Sequence, residues 1–154
     1  MIPLNVPNLD RHDQEQINST IKSGWVSSAG PDIANFEEEF ASYIGSDFAV
    51  ACSSGTAALH VSLIANEIKF GSDVLVPALS FIATANAISY TGASPVFVDI
   101  DSKTLAIDFK KSEDFINQNY IHKDGRFINK ITGNVLDAIV PVHLLGSPFN
   151  IKEL

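Results

Sequence analysis

The sequence predicts an α/β fold in which a mostly parallel β-sheet carries helices on both faces. Short, nearly all-apolar segments, among them DVLVP at 73–77 and DAIVPV at 137–142, have the composition of strands buried on both faces. Segments of helical spacing separate them, which is the order typical of parallel strands joined by helical crossovers. Because ligands bind beyond the carboxyl ends of the strands in such sheets, function is expected in the turns at those ends.

The individual elements follow from local signals at their ends. Residues 10–23 are predicted to be helical because Ile17 and Ile21 lie four residues apart and Gly24 follows. Pro31 is expected at the first position of a second helix, which Gly45 ends. Further helices are predicted at 56–66, at 81–90 and from Ser112, strands at 48–52, 73–77, 95–98 and 137–142, and a candidate hairpin within 120–134.

The composition is that of a globular and acidic chain. Of 154 residues, 45% are apolar and 18% are charged, a balance that allows one domain with a core. A net charge of -8 with only 10 Lys and Arg argues against a nucleic-acid partner. Cys52 is the only cysteine, so neither an internal disulfide nor a cysteine metal site is expected. Without a signal-peptide pattern or a long apolar span, the chain is expected to be cytoplasmic and to have no membrane partner.

The turn Ser53-Ser54-Gly55-Thr56 lies between a predicted strand and a predicted helix. The first N–H groups of a helix have no partner within it and its amino end carries a partial positive charge, so this position favours an anion. Gly55 lets the backbone approach a ligand, and Ser54 and Thr56 add hydroxyl donors, which together suit a phosphate. The P-loop and dinucleotide glycine patterns are both absent. A serine that merely caps the helix explains this segment equally well.

Two other turns follow predicted strands. Phe81 comes after the strand at 73–77, where its ring could stack on a planar cofactor, although a single Phe more often packs in the core. Ser80 is expected to be the N-cap of the helix that follows. His143 follows the strand at 137–142 and could contact a ligand, although a single histidine is more often structural. The sequence contains no Ser/His/Asp set and no histidines at metal-ligand spacing.

Four segments taken together resemble the DegT-type sugar aminotransferases. They are GWVSSAGP, CSSGTAALH, VPALSFIATANAISYTGASPVFVDID and AIVPVHLLGSP, and the resemblance covers nearly the whole chain. It implies a fold-type I pyridoxal-phosphate enzyme that transfers an amino group from glutamate to a keto sugar on a nucleotide, for the synthesis of surface polysaccharides. The start IPLNVPNL and the segment KITG at 130–133 look most like the enzymes of nonulosonic (legionaminic-type) sugars.

The resemblance also implies roles for single residues. One turn matches the family's phosphate-binding turn, one aromatic residue matches the ring that stacks on the pyridine, and an early loop and a histidine match positions near the substrate. The implied cofactor-binding residues are Ser54, Gly55, Thr56 and Phe81, and the implied substrate-binding residues are Trp25, Ser27, Ser28 and His143.

Two residues that the family's chemistry needs have no counterpart in this sequence. The resemblance implies that the lysine that binds the cofactor covalently and the acid that pairs with the pyridine nitrogen lie beyond Leu154. None of the eight lysines in this sequence is placed for the covalent role. Residues 1–154 are therefore interpreted as the N-terminal part of the large cofactor-binding domain, without its remainder and without the small C-terminal domain. A capping-box pattern at Asn150 and Glu153, cut off at the end of the sequence, favours the same interpretation.

This interpretation leaves the chain alone without catalytic residues, so it is expected to be inactive, while the full-length protein is expected to be a homodimer. Three alternatives stay open. The protein could be a sugar dehydratase of the same fold, in which histidine replaces the lysine. It could be a non-catalytic phosphate-binding or regulatory module, or an ordinary α/β domain whose Ser-Ser-Gly-Thr turn is only a cap.

Overall fold

The computed structural model describes residue 2, residues 6–27 and residues 29–153. Of these, residue 153 is described by its backbone alone. The chain forms two compact units, Met1–Ala51 and Cys52–Leu154. The first contains two helices, α1 (Arg11–Ser23) and α2 (Pro31–Ile44). The second contains α3 (Gly55–Ala65), β1 (Ser72–Pro77), α4 (Ile82–Tyr90), β2 (Ser94–Val98), α5 (Phe109–Asn119), β3 (Tyr120–Lys123), β4 (Arg126–Asn129) and β5 (Val135–Ile139), with 3-10 turns at Leu144–Gly146 and Ile151–Glu153.

The two helices of the first unit begin and end where the sequence predicts. The Asp10 carboxylate accepts the N–H of Asp13 at 3.1 Å, and the Asp13 carboxylate accepts the N–H of Asp10 at 2.8 Å, which makes a capping box. Gly24 ends α1 with a φ of 78°, in the left-handed region that glycine adopts without strain. Pro31 occupies the first turn of α2, and Gly45 ends that helix.

The second unit is built on one five-stranded sheet in the order β2-β1-β5-β4-β3. Strand β1 pairs in parallel with β2 and with β5, as predicted for strands joined by helical crossovers. Strands β3 and β4 form the hairpin, and β4 pairs antiparallel with β5, so the sheet is mixed. The parallel part and the hairpin within 120–134 are thereby confirmed.

Alternate residues of the central strand β1 face two apolar layers, and both layers include helices. Val74 and Val76 pack with Leu63 of α3 and Ile88 of α4. Leu75 faces the opposite side, where its layer consists of Val98, Ile107 and the α5 residues Phe109, Phe115 and Ile116. Because side chains alternate along a strand, a fully apolar segment requires cover on both faces. The predicted helices on both faces of the sheet are confirmed.

The predicted strand at 48–52 is wrong. Among the described residues this segment pairs with no other strand, and the side chains of Phe48 and Val50 are exposed. An apolar segment becomes a strand only where a neighbouring strand takes up its backbone hydrogen bonds. Its composition cannot reveal whether such a neighbour is present.

Three predicted boundaries need correction by a few residues. Helix α5 begins at Phe109 because Asp108 caps it, accepting the N–H of Lys111 at 3.0 Å, and Ser112 lies inside the first turn. Helix α4 has Phe81 as its N-cap residue, and the hydroxyl of Ser80 donates to the carbonyl of Phe81 at 3.2 Å instead of capping the helix. Strand β5 covers Val135–Ile139, two to three residues earlier than predicted.

A buried carboxylate joins the hairpin to the amino end of β1. Asp73 is fully buried, and its oxygens accept hydrogen bonds from Tyr120 Oη at 2.7 Å, Asn129 Nδ2 at 2.9 Å and Asn134 Nδ2 at 2.8 Å. Burial, followed by the hydrogen bond to Asp73, raises the pKa of Tyr120 well above its usual value. This polar network lies at the end of β1 opposite to the turns that the sequence singles out.

Candidate cofactor site at the carboxyl edge of the sheet

Three of the predicted functional segments lie at one edge of the sheet, here called the carboxyl edge because the parallel strands β2, β1 and β5 end there. Helix α3 leads through 66–71 into the amino end of β1 and packs against that strand, so its own amino end points towards the carboxyl edge. Helix α4 follows β1 directly at this edge. Strand β5 is parallel to β1, so His143 lies beyond the same edge. The start of α3, Phe81 and His143 are therefore brought to one side of the sheet.

The turn before α3 combines a helix cap with an open anion site. Ser54 is the N-cap, and its Oγ accepts the N–H of Ala57 at 3.2 Å. The N–H groups of Gly55 and Thr56 have no acceptor in the part of the chain that the structure describes. A Cβ built on Gly55 would meet no atom within 4 Å, so the space beside this backbone is open. Two adjacent free donors at a helix amino end, with open space beside them, fit a phosphate group.

Phe81 presents its ring to the solvent at the start of α4. Its side chain is 78% exposed, although it lies directly beside the buried strand β1. The alternative that this residue packs in the core is therefore wrong. An exposed aromatic ring at the end of a central strand provides an apolar surface on which a planar ligand can stack.

His143 lies at the start of a tight turn after β5. The turn continues through Leu145, a non-glycine residue in the left-handed region with a φ of 52°, and Gly146 with a φ of 79°. The imidazole itself is exposed and contacts the ring of Phe149, with 4.8 Å between the ring centroids. The ring of Phe149 contacts Phe109 in turn, at 5.9 Å. His143 is therefore held from one side, and its ring nitrogens have no hydrogen-bond partner among the described residues.

The loop after β2 also begins at the carboxyl edge and carries an ion pair that the sequence did not single out. Lys111 Nζ lies 2.5 Å from Asp99 Oδ2, and this hydrogen bond lowers the pKa of Asp99 and raises the pKa of Lys111. Asp101 accepts the N–H groups of Thr104 and Lys103, which lower the pKa of its carboxyl. Lys111 therefore forms an ion pair with Asp99 that stabilises this loop.

The early loop, predicted to contact substrate, belongs to the first unit and is described there by itself. The indole of Trp25 is 54% exposed. A Cβ on Gly30 would lie 3.2 Å from the Cβ of Trp25, so a larger residue here would push against the tryptophan side chain. Ser27 Oγ accepts the N–H of Ala29 at 3.5 Å. Ser28 lies outside the described residues.

Other classes of site are not seen in the described part of the chain. No group of three or more His, Cys, Asp or Glu side chains is placed to hold a metal ion within it. None of its helices combines the length and the apolar character needed to cross a membrane. The free thiol of Cys52 is exposed, next to the turn that precedes α3.

Comparison with known proteins gives the chain its family. The model of the DegT/DnrJ/EryC1/StrS aminotransferase family matches residues 7–154. The chain belongs to this family. Within the matched residues, Gly55 and the ring of Phe81 are exposed at the carboxyl edge. The resemblance that the four motifs indicate is confirmed.

Relatives of known name act on sugars. The chain is 38% identical over 145 residues to the GDP-perosamine synthase of Caulobacter vibrioides, covering 94% of this chain and 35% of that protein. It is also 38% identical over 145 residues to the spore coat polysaccharide biosynthesis protein SpsC of Bacillus subtilis, covering 94% of this chain and 33% of that protein. The chain therefore spans about a third of the length of these relatives.

Solved structures of the family have the same fold over this region. The Spr1654 protein of Streptococcus pneumoniae in its PLP form matches with a TM-score of 0.80 and 27% identity, covering 99% of this chain and 34% of that one. The GDP-4-keto-6-deoxy-D-mannose-3-dehydratase of E. coli with bound hydrated PLP matches with a TM-score of 0.78 and 29% identity, covering 98% and 36%. Solved structures with this arrangement of elements thus include a PLP form and a 3-dehydratase with bound hydrated PLP.

Proposed function

We propose that this chain is the phosphate-binding part of a pyridoxal-phosphate-dependent sugar aminotransferase. The proposed reaction moves an amino group from glutamate to a keto sugar carried on a nucleotide, in the synthesis of a surface polysaccharide. Family membership and the sugar enzymes among its relatives support the reaction class. The observation that carries the cofactor assignment is the open amino end of α3, where the N–H groups of Gly55 and Thr56 have no acceptor among the described residues.

The residues at the carboxyl edge fit this cofactor. The free N–H groups of Gly55 and Thr56, with the hydroxyl protons of Ser54 and Thr56, would hold its phosphate, and the partial positive charge of the helix amino end favours the phosphate dianion. Phe81 would stack on the pyridine ring, for which its exposed face is suited. His143 would contact the ligand from the turn after β5.

Pyridoxal phosphate supplies an electron sink that allows an amino group and a proton to move between the donor and acceptor carbons. The residues of this chain contribute binding and orientation. Anchoring the phosphate fixes one end of the cofactor, and stacking against Phe81 fixes the plane of its ring, so the reacting atoms are held in one place relative to the protein. We place the covalent lysine, the acid that pairs with the pyridine nitrogen and the small domain beyond residue 154, in a full-length cytoplasmic homodimer.

Substitution of Gly55 by valine tests the phosphate assignment. The new side chain points into space that no atom of the described chain occupies, so folding should be unaffected, while the phosphate loses its close approach to the backbone. We expect the affinity for pyridoxal phosphate, measured by calorimetry, to fall about tenfold or more, the magnitude of losing hydrogen bonds to a charged group. Pyridoxal, which lacks the phosphate, should bind both proteins equally weakly.

Ala65→Val provides the matched control for the Gly55 variant. This residue is exposed at the other end of α3, so it tests the cost of a β-branched side chain in the same helix. Its affinity for pyridoxal phosphate should equal that of the unaltered chain. If Gly55→Val binds pyridoxal phosphate as tightly as the unaltered chain, the Ser-Ser-Gly-Thr turn is only a helix cap and the cofactor assignment is wrong.

The absence of the covalent lysine is tested separately. After the chain is mixed with pyridoxal phosphate and reduced with borohydride, mass spectrometry should detect no stoichiometric adduct on any lysine. A single modified lysine at full occupancy would show that this chain carries the covalent site itself, contrary to the proposal.

A sugar dehydratase of the same fold is the second candidate, favoured by the similarity to the E. coli 3-dehydratase. The two reactions differ in what the sugar gains or loses. With a nucleotide-linked 4-keto sugar and glutamate, the full-length aminotransferase forms a product whose sugar carries an amino group in place of the keto oxygen, whereas the dehydratase removes a hydroxyl group from the sugar. Mass spectrometry of the sugar product separates them, and a full-length protein that binds the cofactor without any turnover would be a binding or regulatory module.

A further inference from the structure

The turn after β5 contains a contact that no sequence motif predicts. His143 and Phe149 are six residues apart, a distance of roughly 20 Å in an extended chain, yet their ring centroids lie 4.8 Å apart. The chain reverses because Leu145 and Gly146 both adopt left-handed conformations, and the N–H of Gly146 donates to the carbonyl of His143 at 3.1 Å. A left-handed leucine is uncommon and unfavourable, so the surrounding contacts hold the reversed conformation in place.

The second ring of this contact is anchored in the body of the sheet. Phe149 contacts Phe109 with 5.9 Å between ring centroids. Phe109 is the first residue of α5 and packs against the apolar layer that contains Leu75 and Ile107. The rings of Phe149 and Phe109 therefore connect the exposed imidazole of His143 to the apolar layer beside strand β1.

We propose that Phe149 is a positioning residue, whose ring fixes the orientation of the His143 imidazole at the carboxyl edge. The inference rests on the proposed function, because it takes His143 to be a ligand-contacting residue. Contact with Phe149 restricts the rotation of an otherwise exposed side chain, so the ring nitrogens of His143 are presented in one direction before the ligand binds. A residue already oriented loses less conformational freedom on binding, which strengthens the interaction.

Imidazole signals in NMR spectra report whether the ring of Phe149 lies against His143 in solution. The chain has four histidines, and the signals of His143 are those that disappear in His143→Asn. In Phe149→Leu we expect the carbon-bound proton signals of His143 to lose the shift that a neighbouring aromatic ring causes. Phe149→Tyr retains the ring and should preserve that shift. This pattern would confirm the contact in solution, and the affinities of the single and double variants then separate a positioning role from a purely structural one.

A second histidine–phenylalanine pair in the chain provides the control. His122 and Phe127 face each other across the β3–β4 hairpin with 5.0 Å between ring centroids. Phe127→Leu should move the signals of His122 and leave those of His143 unchanged. Signals of His143 that stay in place in Phe149→Leu would overturn the inference.

The affinity for pyridoxal phosphate connects the orientation to binding. Phe149→Leu should weaken binding by about two- to tenfold, the range expected from the loss of one aromatic contact. His143→Asn should weaken it at least as much, and the double variant no more than His143→Asn alone, because Phe149 acts through His143. Loss of affinity only in His143→Asn, or in neither variant, would overturn the inference. Either result leaves the proposed function intact provided that Gly55→Val still weakens the binding of pyridoxal phosphate by about tenfold or more.

Discussion

At the scale of single residues, Ser54 shows that helix capping and ligand binding need not compete. Its Oγ accepts the N–H of Ala57, while the N–H groups of Gly55 and Thr56 stay without an acceptor among the described residues. The two explanations of the Ser-Ser-Gly-Thr turn therefore use different atoms of the same turn. The cap fixes the backbone in the conformation that presents the free donors.

Substitution of Ser54 by alanine should therefore affect both stability and binding. Loss of the cap is expected to lower the free energy of unfolding by about 1 kcal/mol, measured by urea denaturation. Affinity for pyridoxal phosphate should fall less than in Gly55→Val, because the two backbone donors remain. The neighbouring exposed residue provides the control: Ser53→Ala should stay within about 0.5 kcal/mol of the unaltered chain. Equal stability of both variants would contradict the capping role.

Tyr120 gives the chain a specific sensitivity to alkaline pH. Burial and the hydrogen bond to Asp73 raise its folded-state pKa above the ordinary tyrosine value of 10.0, so folding favours the protonated phenol. The resulting stability is present below about pH 10 and is lost as the pH rises further, because the unfolded chain releases this proton more easily. Unfolding free energies at about pH 8 and about pH 11 should differ more for the unaltered chain than for Tyr120→Phe. Equal differences would show that Tyr120 does not contribute.

At the scale of elements, the hairpin depends on one buried carboxylate. Asp73 accepts hydrogen bonds from Tyr120 in β3, Asn129 in β4 and Asn134, which directly precedes β5. None of these donors carries a charge, so the carboxylate is stabilised by dipoles alone. The arrangement fixes the hairpin to the amino end of β1, away from the carboxyl edge.

Asp73→Ala should loosen the hairpin before it unfolds the parallel strands. The buried hydroxyl of Tyr120 and the partly buried amides of Asn129 and Asn134 would lose their acceptor, at a cost of about 3 kcal/mol in the free energy of unfolding. Amide hydrogen exchange in β3 and β4 should accelerate more than exchange in β1. Ser94→Ala is the control, because Ser94 has only a 3.3 Å contact with Asn134 in this network. Uniform acceleration over all five strands would show that the hairpin is not a separate unit.

The sequence predicts elements well where the determining contacts are local. Helix α1 is bounded by Asp10 and Gly24, and strand β1 is buried throughout and apolar from Val74 to Pro77. The segment at 48–52 is equally apolar, but a strand depends on a partner that lies elsewhere in the chain. The start of α5 was misplaced because Asp108 and Ser112 are both common N-cap residues, and only the structure shows which one accepts a backbone N–H.

Some residues of the candidate site could likewise be predicted from local sequence signals, whereas the placement of others depends on distant contacts. Ser54, Gly55 and Thr56 could be predicted because the signal is a helix start with a defined chemistry. The exposure of Phe81 depends on what surrounds it, which the sequence does not specify. The contact between His143 and Phe149 arises from a left-handed leucine, for which the sequence carries no signal.

At the scale of the whole molecule, the second unit exposes apolar side chains on and beside an unpaired sheet edge. Strand β2 pairs only with β1 in the described part of the chain, and its Phe97 is 54% exposed. Unpaired backbone groups next to an apolar side chain favour pairing with another chain. The 154-residue chain is therefore expected to self-associate.

Phe97→Lys tests whether the β2 edge is responsible for this association. A charge on the edge strand disfavours pairing between chains, so we expect sedimentation velocity to show a shift of the oligomer towards the monomer of 16.6 kDa at equal concentration. Ile131→Lys is the matched control, because Ile131 is 90% exposed but lies in the turn after β4 and away from the edge. This control should sediment like the unaltered chain. An equal shift towards the monomer in both variants would show that exposed apolar surface in general causes the association. Pairing through the β2 edge would respond only to the change on that strand. An unaltered chain that stays monomeric at every concentration would contradict the expected self-association.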